Sequence, residues 1–245
     1  MKSQAARPAR VKLSDVKKEL AELADEDRAK NLAWFFKTGK GQYGEGDRFL
    51  GIRVPMQRAV ARRFASLPLQ DVAKLLRSPV HEHRFTAAEI LVLQYERGFA
   101  EAREEVFRFY LDNARRFNNW DLVDTSAPYV VGEHLLTRDR GVLKELAASE
   151  NLWERRISIV ATLRFLKAGE TGDTFAVAKL LLKDRHDLIH KAVGWALRES
   201  GRVSRAELLA FLRQHYSLLP RTALRYAIEH LPVEQRKRIL AGDFN

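Results

Sequence analysis

Residues 155–163, RRISIVATL, decide the fold. A basic or polar residue opens an apolar run of helical character, and the same arrangement returns as HRFTAAEIL at 83–91, HKAVGWALR at 190–198 and RTALRYAIE at 221–229. Aligned on Arg84, Arg156, Lys191 and Thr222, these segments lie 72, 35 and 31 residues apart. Half of the first interval is 36, and 36 residues beyond Arg84 stands Trp120, the start of WDLVDTSAPYVV (120–131), which fills the gap. A recurrence of this length is the mark of helix pairs that stack side by side, each burying its apolar face against the next. The expected fold is therefore all-α, a curved solenoid of antiparallel helix pairs whose concave face is lined by one helix of each pair.

The rest of the chain reads with the same period. Ser14 is placed to cap VKKELAEL, Leu32, Phe35 and Phe36 give AKNLAWFFK an apolar stripe, and Pro55 suits the first turn of a helix through PMQRAVARRF. Further helices are expected near 68–77, 82–97, 100–115, 120–135, 140–148, 152–167, 174–183, 188–200, 205–216, 220–230 and 233–240. A single repeat domain over 1–245 is expected, with 1–12 as a flexible N-terminal tail. The loop TGKGQYGEGDRFLGIRVP (38–55) contains GKGQYG, formally a G-x-G-x-x-G. A dinucleotide site needs a strand before that motif and a helix directly after it, and here a helix precedes and GEGDR follows. Tyr43 at its centre has two readings, a core aromatic or a ring that stacks on a ligand, with the core favoured.

Composition narrows the partners. Among 245 residues there are 43 Lys and Arg against 32 Asp and Glu, a net charge of +11. Such a balance suits a polyanion, because Lys and Arg displace the counterions condensed on nucleic-acid phosphates; a soluble basic protein with no such partner is the competing reading. The charge is uneven: residues 31–80 hold 9 cations and 3 anions, whereas residues 81–140 hold 8 and 11. No cysteine exists, which removes disulfide scaffolds, thiolate metal sites and cysteine nucleophiles. No leader-like or membrane-spanning apolar stretch is present, so a cytoplasmic location, nucleoid-associated in a bacterium, is expected.

On the repeat register, positions 0 and +4 share a helix face, so Trp120, Asp124, Arg156, Lys191 and Trp195 should project together. Asn118 or Asn119 can cap the helix that begins at Trp120, and Asp121 then fits its first turn electrostatically with no further role required. Asp124 has no such explanation, since a carboxylate one turn after an aromatic faces the groove. Trp195 read alone is a core tryptophan, and Arg156 read alone pairs with Glu154 or Asp124 or solvates a helix end.

The sequence resembles the AlkD-like DNA alkylation repair family of HEAT-like-repeat DNA glycosylases over nearly its whole length. The resemblance rests on YGEGDRFLGIRVP (43–55), SPVHEHRFTAAEIL (78–91), NNWDLVDTSAPYVVG (118–132), LWERRISIVATLRFLKAG (152–169), KAVGWALRESG (191–201) and PRTALRYAIEHLP (220–232). It implies a right-handed HEAT-like solenoid with a concave DNA-binding face. It implies Asp124 and Trp120 as the catalytic aspartate and tryptophan of a WD-x-x-D element, Trp195 as the tryptophan of a GW element, and Arg156 as the arginine after the LW signature. Tyr43 matches the family's loop tyrosine. Arg156, Lys191 and Arg221 are expected on DNA phosphates. One departure is visible: RHDLIH precedes KAVGW where some members carry aromatic residues.

The implied reaction is excision of cationic N3- and N7-alkylated purines from duplex DNA by a monomer, without a base pocket and with no metal or organic cofactor. The chemistry agrees with the residue types, since a carboxylate and indole faces stabilise positive charge developing on a deoxyribose. Two other readings compete, a non-catalytic helical-repeat protein that binds branched or damaged duplex DNA, and a protein scaffold.

Overall fold

The computed structural model of the chain describes residues 11–244. The chain is all-helical, and a single isolated parallel bridge, Arg48 to Val80, is the extended pairing among the described residues. Most of the expected flexible tail at 1–12 lies outside the described residues. Two compact units divide the chain, Met1–Arg97 and Gly98–Asn245, a boundary that the single-domain expectation did not draw. No helix among the described residues is long and apolar enough to cross a membrane.

The first unit holds α1 (Leu13–Glu22), α2 (Glu26–Phe35), α3 (Val54–Arg63), α4 (Leu69–Leu76) and α5 (His81–Arg97). Helix α1 begins one residue before Ser14, with Lys12 at its N-cap, and the Ser14 hydroxyl donates to Asp15 instead of capping. The stripe expected on α2 is only partly buried: Phe36 lies in the core while Phe35 is exposed. Helix α5 is the spine of this unit. Its Gln94 amide donates to the carbonyls of Ala65 (2.8 Å) and Leu67 (2.7 Å), tying down the α3–α4 connection. Its Glu82, fully buried, accepts the backbone N–H groups of Leu50 (2.9 Å), Gly51 (2.8 Å) and Ile52 (3.3 Å). Gly51 has φ +83, and a Cβ there would stand 2.1 Å from the Asp25 carbonyl oxygen, so the loop can close on α2 only with glycine.

The glycine-rich loop is then fixed from its other end. Asp47 meets Arg84 at 2.6 Å and His81 Nδ1 at 3.4 Å. Phe36, Phe49 and His81 stack over this group, with ring centroids 5.1 and 4.6 Å apart. A loop so held is a structural connector, in keeping with the rejection of GKGQYG as a nucleotide site.

The second unit contains α6 (Ala100–Asp112), α7 (Trp120–Ala127), α8 (Glu133–Leu135), α9 (Gly141–Ala147), α10 (Leu152–Ala161), α11 (Leu163–Lys167), α12 (Gly172–Leu181), α13 (Asp187–Val203), α14 (Arg205–His215), α15 (Arg221–Ala227) and α16 (Val233–Leu240). The five segments aligned in sequence fall on α5, α7, α10, α13 and α15. Within this unit α10 packs between α7 and α13, and α13 packs against α15, while α9, α12 and α14 back them as the other members of each pair. The inner helices bury Val123, Ile157, Ile159, Ile189, Leu197 and Leu224, each contributing roughly 1.5–3 kcal/mol through burial.

Helix α7 does not stop at Pro128. It passes through a wider π turn, Pro128–Gly132, into α8. Proline has no N–H for the i→i−4 ladder, and a π turn absorbs the lost bond while re-aiming the residues that follow.

Candidate active site

Asn119 is the start of the site. Fully buried, it caps α7 by accepting the Trp120 N–H at 2.8 Å. Further along, the Tyr110 hydroxyl meets Ser126 Oγ at 2.9 Å, Ser126 donates to the Leu122 carbonyl at 2.6 Å, and Tyr110 stacks on Phe117 at 4.0 Å. This buried peg sets the rotation of α7, so that Leu122 and Val123 enter the core and Asp124 faces away from it.

The partner of Asp124 comes from α10. Asn151 caps that helix, accepting from Trp153 (2.9 Å) and Glu154 (3.2 Å). Two successive arginines then diverge. Arg155 turns outward to Asp184 (2.6 Å) and to the carbonyls of Ser149 (3.0 Å) and Glu150 (2.8 Å). Arg156 turns inward: its Nε donates to Asp124 Oδ1 at 2.8 Å and its Nη2 to Oδ2 at 2.7 Å, while Nη1 donates to the Leu188 carbonyl at 2.6 Å. This two-pronged carboxylate–guanidinium pair fixes the Asp124 plane as well as its charge.

Arg156 is therefore placed otherwise than a phosphate contact requires. All three guanidinium nitrogens bond within the protein, and the side chain is only 6% exposed. Of the pairings left open in the sequence, Asp124 is the one found, and Glu154 instead accepts from Arg115 and Ser149. Asp124 itself stays 20% exposed. Burial pushes its carboxyl above the ordinary aspartate range, the Arg156 charge and hydrogen bonds pull the other way, and Asp121 adds a smaller push upward.

Helix α13 brings the second aromatic. His186 caps it, Nδ1 accepting the Leu188 N–H at 3.1 Å, which identifies Nδ1 as the unprotonated nitrogen; burial holds its pKa down, consistent with that role. A Cβ on Gly194 would fall 2.5 Å from Tyr226 Cβ and 2.7 Å from the Ala223 carbonyl oxygen, so glycine lets α13 and α15 touch and fixes the height of the next residue, Trp195. Asp124 and Trp195 line one cleft of about 390 Å³. Its other walls are Pro128 and Tyr129 from the π turn, Leu163, Leu166 and Lys167 from α11, and Glu199, Arg202 and Val203 from α13.

The remaining expected residues are distributed. Trp120 is half-buried one turn before Asp124. Lys191, one turn before Trp195, pairs with Asp187 at 2.8 Å. Arg221 is exposed at the start of α15 and donates to the Leu240 carbonyl at 2.9 Å. Tyr43 is half-buried in the glycine-rich loop of the first unit. Among the described residues no group of three or more His, Asp or Glu side chains comes together as a metal site would need.

Sequence reasoning missed Tyr129, Lys167, Arg202 and the apolar floor of the cleft. A signal was present: Arg156, Leu163 and Lys167 are 7 and 11 residues apart, a helical spacing that continues the functional face beyond the residues aligned by the repeat.

No curated protein matches the sequence. A solved structure described as a predicted DNA alkylation repair enzyme from Enterococcus faecalis is similar in fold, with a TM-score of 0.67 and 17% identity, over 86% of this chain and 97% of that one. A family model described as DNA alkylation repair enzyme matches residues 16–231, and the chain belongs to that family.

Proposed function

We propose that the protein is a DNA glycosylase that excises cationic N3- and N7-alkylated purines, such as 3-methyladenine and 7-methylguanine, from duplex DNA. The observation that carries this reading is Asp124, a partly exposed carboxylate held by both oxygens on Arg156 at the mouth of a cleft that Trp195 also lines.

An N7- or N3-alkylated purine already bears the positive charge that makes it a leaving group. When the glycosidic bond breaks, the bonding electrons go to the base, which departs neutral, and no acid need protonate it. The barrier lies in the positive charge left on the deoxyribose. A fixed carboxylate stabilises such a centre because it needs no reorganisation at the moment the charge appears. Asp124 does this and orients the water whose oxygen bonds to C1′, and the carboxylate or bulk solvent takes up the proton that water loses. Arg156 is the positioning residue, holding the carboxylate plane. Trp195 and Trp120 supply indole faces that attract the cationic sugar. Lys191 and Arg221 are exchangeable ion-pair and carbonyl contacts able to turn to phosphate.

Incubating the purified protein with methylated duplex DNA and chromatographing the released bases tests the reading. Free 7-methylguanine or 3-methyladenine with matching abasic sites is expected. Salt-sensitive duplex binding with no released base would leave a DNA-binding protein without glycosylase activity.

A further inference from the structure

The cleft at Asp124 extends well past the residues that the glycosidic bond needs. On α13 its lining residues Trp195, Glu199, Arg202 and Val203 stand at i, i+4, i+7 and i+8, one face of one helix. At 1.5 Å per residue that face runs roughly 12 Å. Leu163 and Leu166 floor it from α11, and Pro128 from the π turn. In the same lining the Lys167 ammonium lies 5.3 Å from the centre of the Tyr129 ring, and Tyr129 is 40% exposed.

Lys167 differs from the cleft's other cations. Arg156 is matched to Asp124, and Arg202 meets Glu199 at 3.4 Å and His230 Nε2 at 2.6 Å. Glu199, the other carboxylate in the lining, is held between Arg198 (3.1 Å) and Arg202. Lys167 makes no ion pair among the described residues. It is a cation resting on an aromatic face, in an apolar trough. A cationic alkylpurine would be repelled there. A DNA strand matches the trough, because it alternates apolar sugar faces with anionic phosphates.

From Asp124 to Tyr129 is five residues of helix, roughly 7–8 Å along the helix axis, a reach that takes in the backbone phosphates close to the reacting sugar on the same strand. We propose that Lys167, held over Tyr129, is the seat for a backbone phosphate within about two nucleotides of the reacting sugar, on the strand that carries the lesion. The intervening sugar then lies on Leu163, Leu166 and Pro128. The seat makes the enzyme read backbone charge at a fixed distance from the lesion. The proposal rests on the glycosylase reading only for where the reacting sugar sits.

The test measures binding to a duplex carrying a non-cleavable abasic-site analogue, with a single neutral methylphosphonate walked along the phosphates on either side. For the wild type, one position within about two nucleotides of the analogue should weaken binding roughly 3- to 10-fold. Lys167→Ala should bind the unmodified duplex more weakly by a similar factor, lose nothing further at that position, and show a salt slope smaller by about 1. Lys167→Arg should restore both the affinity and the positional sensitivity. A Lys167→Ala protein that responds to every methylphosphonate as the wild type does, or keeps its salt slope, overturns the proposal. Because cleavage plays no part, the two readings fail separately. A protein that shows the positional effect and releases no base loses the glycosylase reading and keeps the seat, and one that releases base without the effect loses only the seat.

Discussion

Two buried carboxylate–arginine pairs occupy matching places in the repeat register, and only one of them opens to a cleft. In the first unit Arg84, near the start of α5, meets Asp47 at 2.6 Å and donates to the Ser78 carbonyl at 2.7 Å. In the second unit Arg156, in the same register on α10, takes both oxygens of Asp124 and donates to the Leu188 carbonyl at 2.6 Å. The Asp47 and Arg84 side chains are 6% and 3% exposed under the Phe36, Phe49 and His81 stack. Asp124 is 20% exposed beside Trp195. The chemistry of the two pairs is the same, and access decides their use. A sealed pair can only fix the loop that donates the aspartate, whereas a pair with one face uncovered keeps a desolvated, oriented carboxylate within reach of a substrate.

Breaking the sealed pair should give the largest effect. Arg84→Met takes the guanidinium from the buried Asp47 and leaves it His81 at 3.4 Å, and losing the cation of a buried pair costs about 3–5 kcal/mol. Chemical denaturation should show that loss, and an unchanged midpoint would mean that Asp47 finds water or another partner. At the open pair the same logic moves from stability to rate. Asp124→Asn keeps the shape and one acceptor for Arg156 but removes the charge, so single-turnover base release should fall by about 10²-fold or more. Affinity for an abasic-analogue duplex should stay near the wild-type value. A rate near wild type would remove Asp124 from the reaction.

How much of this was legible beforehand differs between the two pairs for a physical reason. Periodicity placed α5, α7, α10, α13 and α15, the repeat register turned Asp124 and Trp195 toward one groove, and local spacing narrowed the α7 cap to Asn118 or Asn119, of which Asn119 caps it. The Asp47–Arg84 pair and the Glu82 latch on residues 50–52 were invisible, because they join segments whose approach depends on how a loop closes. Ser14 was misjudged as a cap because cap preference favours serine, whereas the helix begins at Leu13, one residue earlier, a shift of the kind that helix ends show. The direction of Arg156 could not be read either, since a guanidinium suits a carboxylate and a phosphate equally and only the packing of α10 on α7 supplies the carboxylate. Tyr129 and Lys167 lie on the helices expected near 120–135 and 152–167, but away from the 0 and +4 positions on which the repeat was aligned, and the π turn at Pro128–Gly132 re-aims Tyr129 in a way that spacing does not show.

The smallest of these effects is the most informative about what Arg156 does. Burial raises the Asp124 carboxyl, and the arginine's charge and hydrogen bonds are the chief influences opposing that rise. A carboxyl whose folded pKa lies above its unfolded value binds a proton more readily in the folded protein. The ionised form needed for catalysis is therefore present above the raised value and is lost as pH falls through it. The acid limb of the single-turnover pH–rate profile should accordingly lie above the ordinary aspartate range. Arg156→Met removes the opposing charge, and the limb should move to higher pH by about one to three units, with Arg156→Lys falling between the two because it restores charge without the two-pronged geometry. An arginine that served only as packing would lower the rate evenly across pH and leave the limb where it was. The displacement of the limb thus separates an Arg156 that tunes and orients the carboxylate from one that merely fills space beneath it.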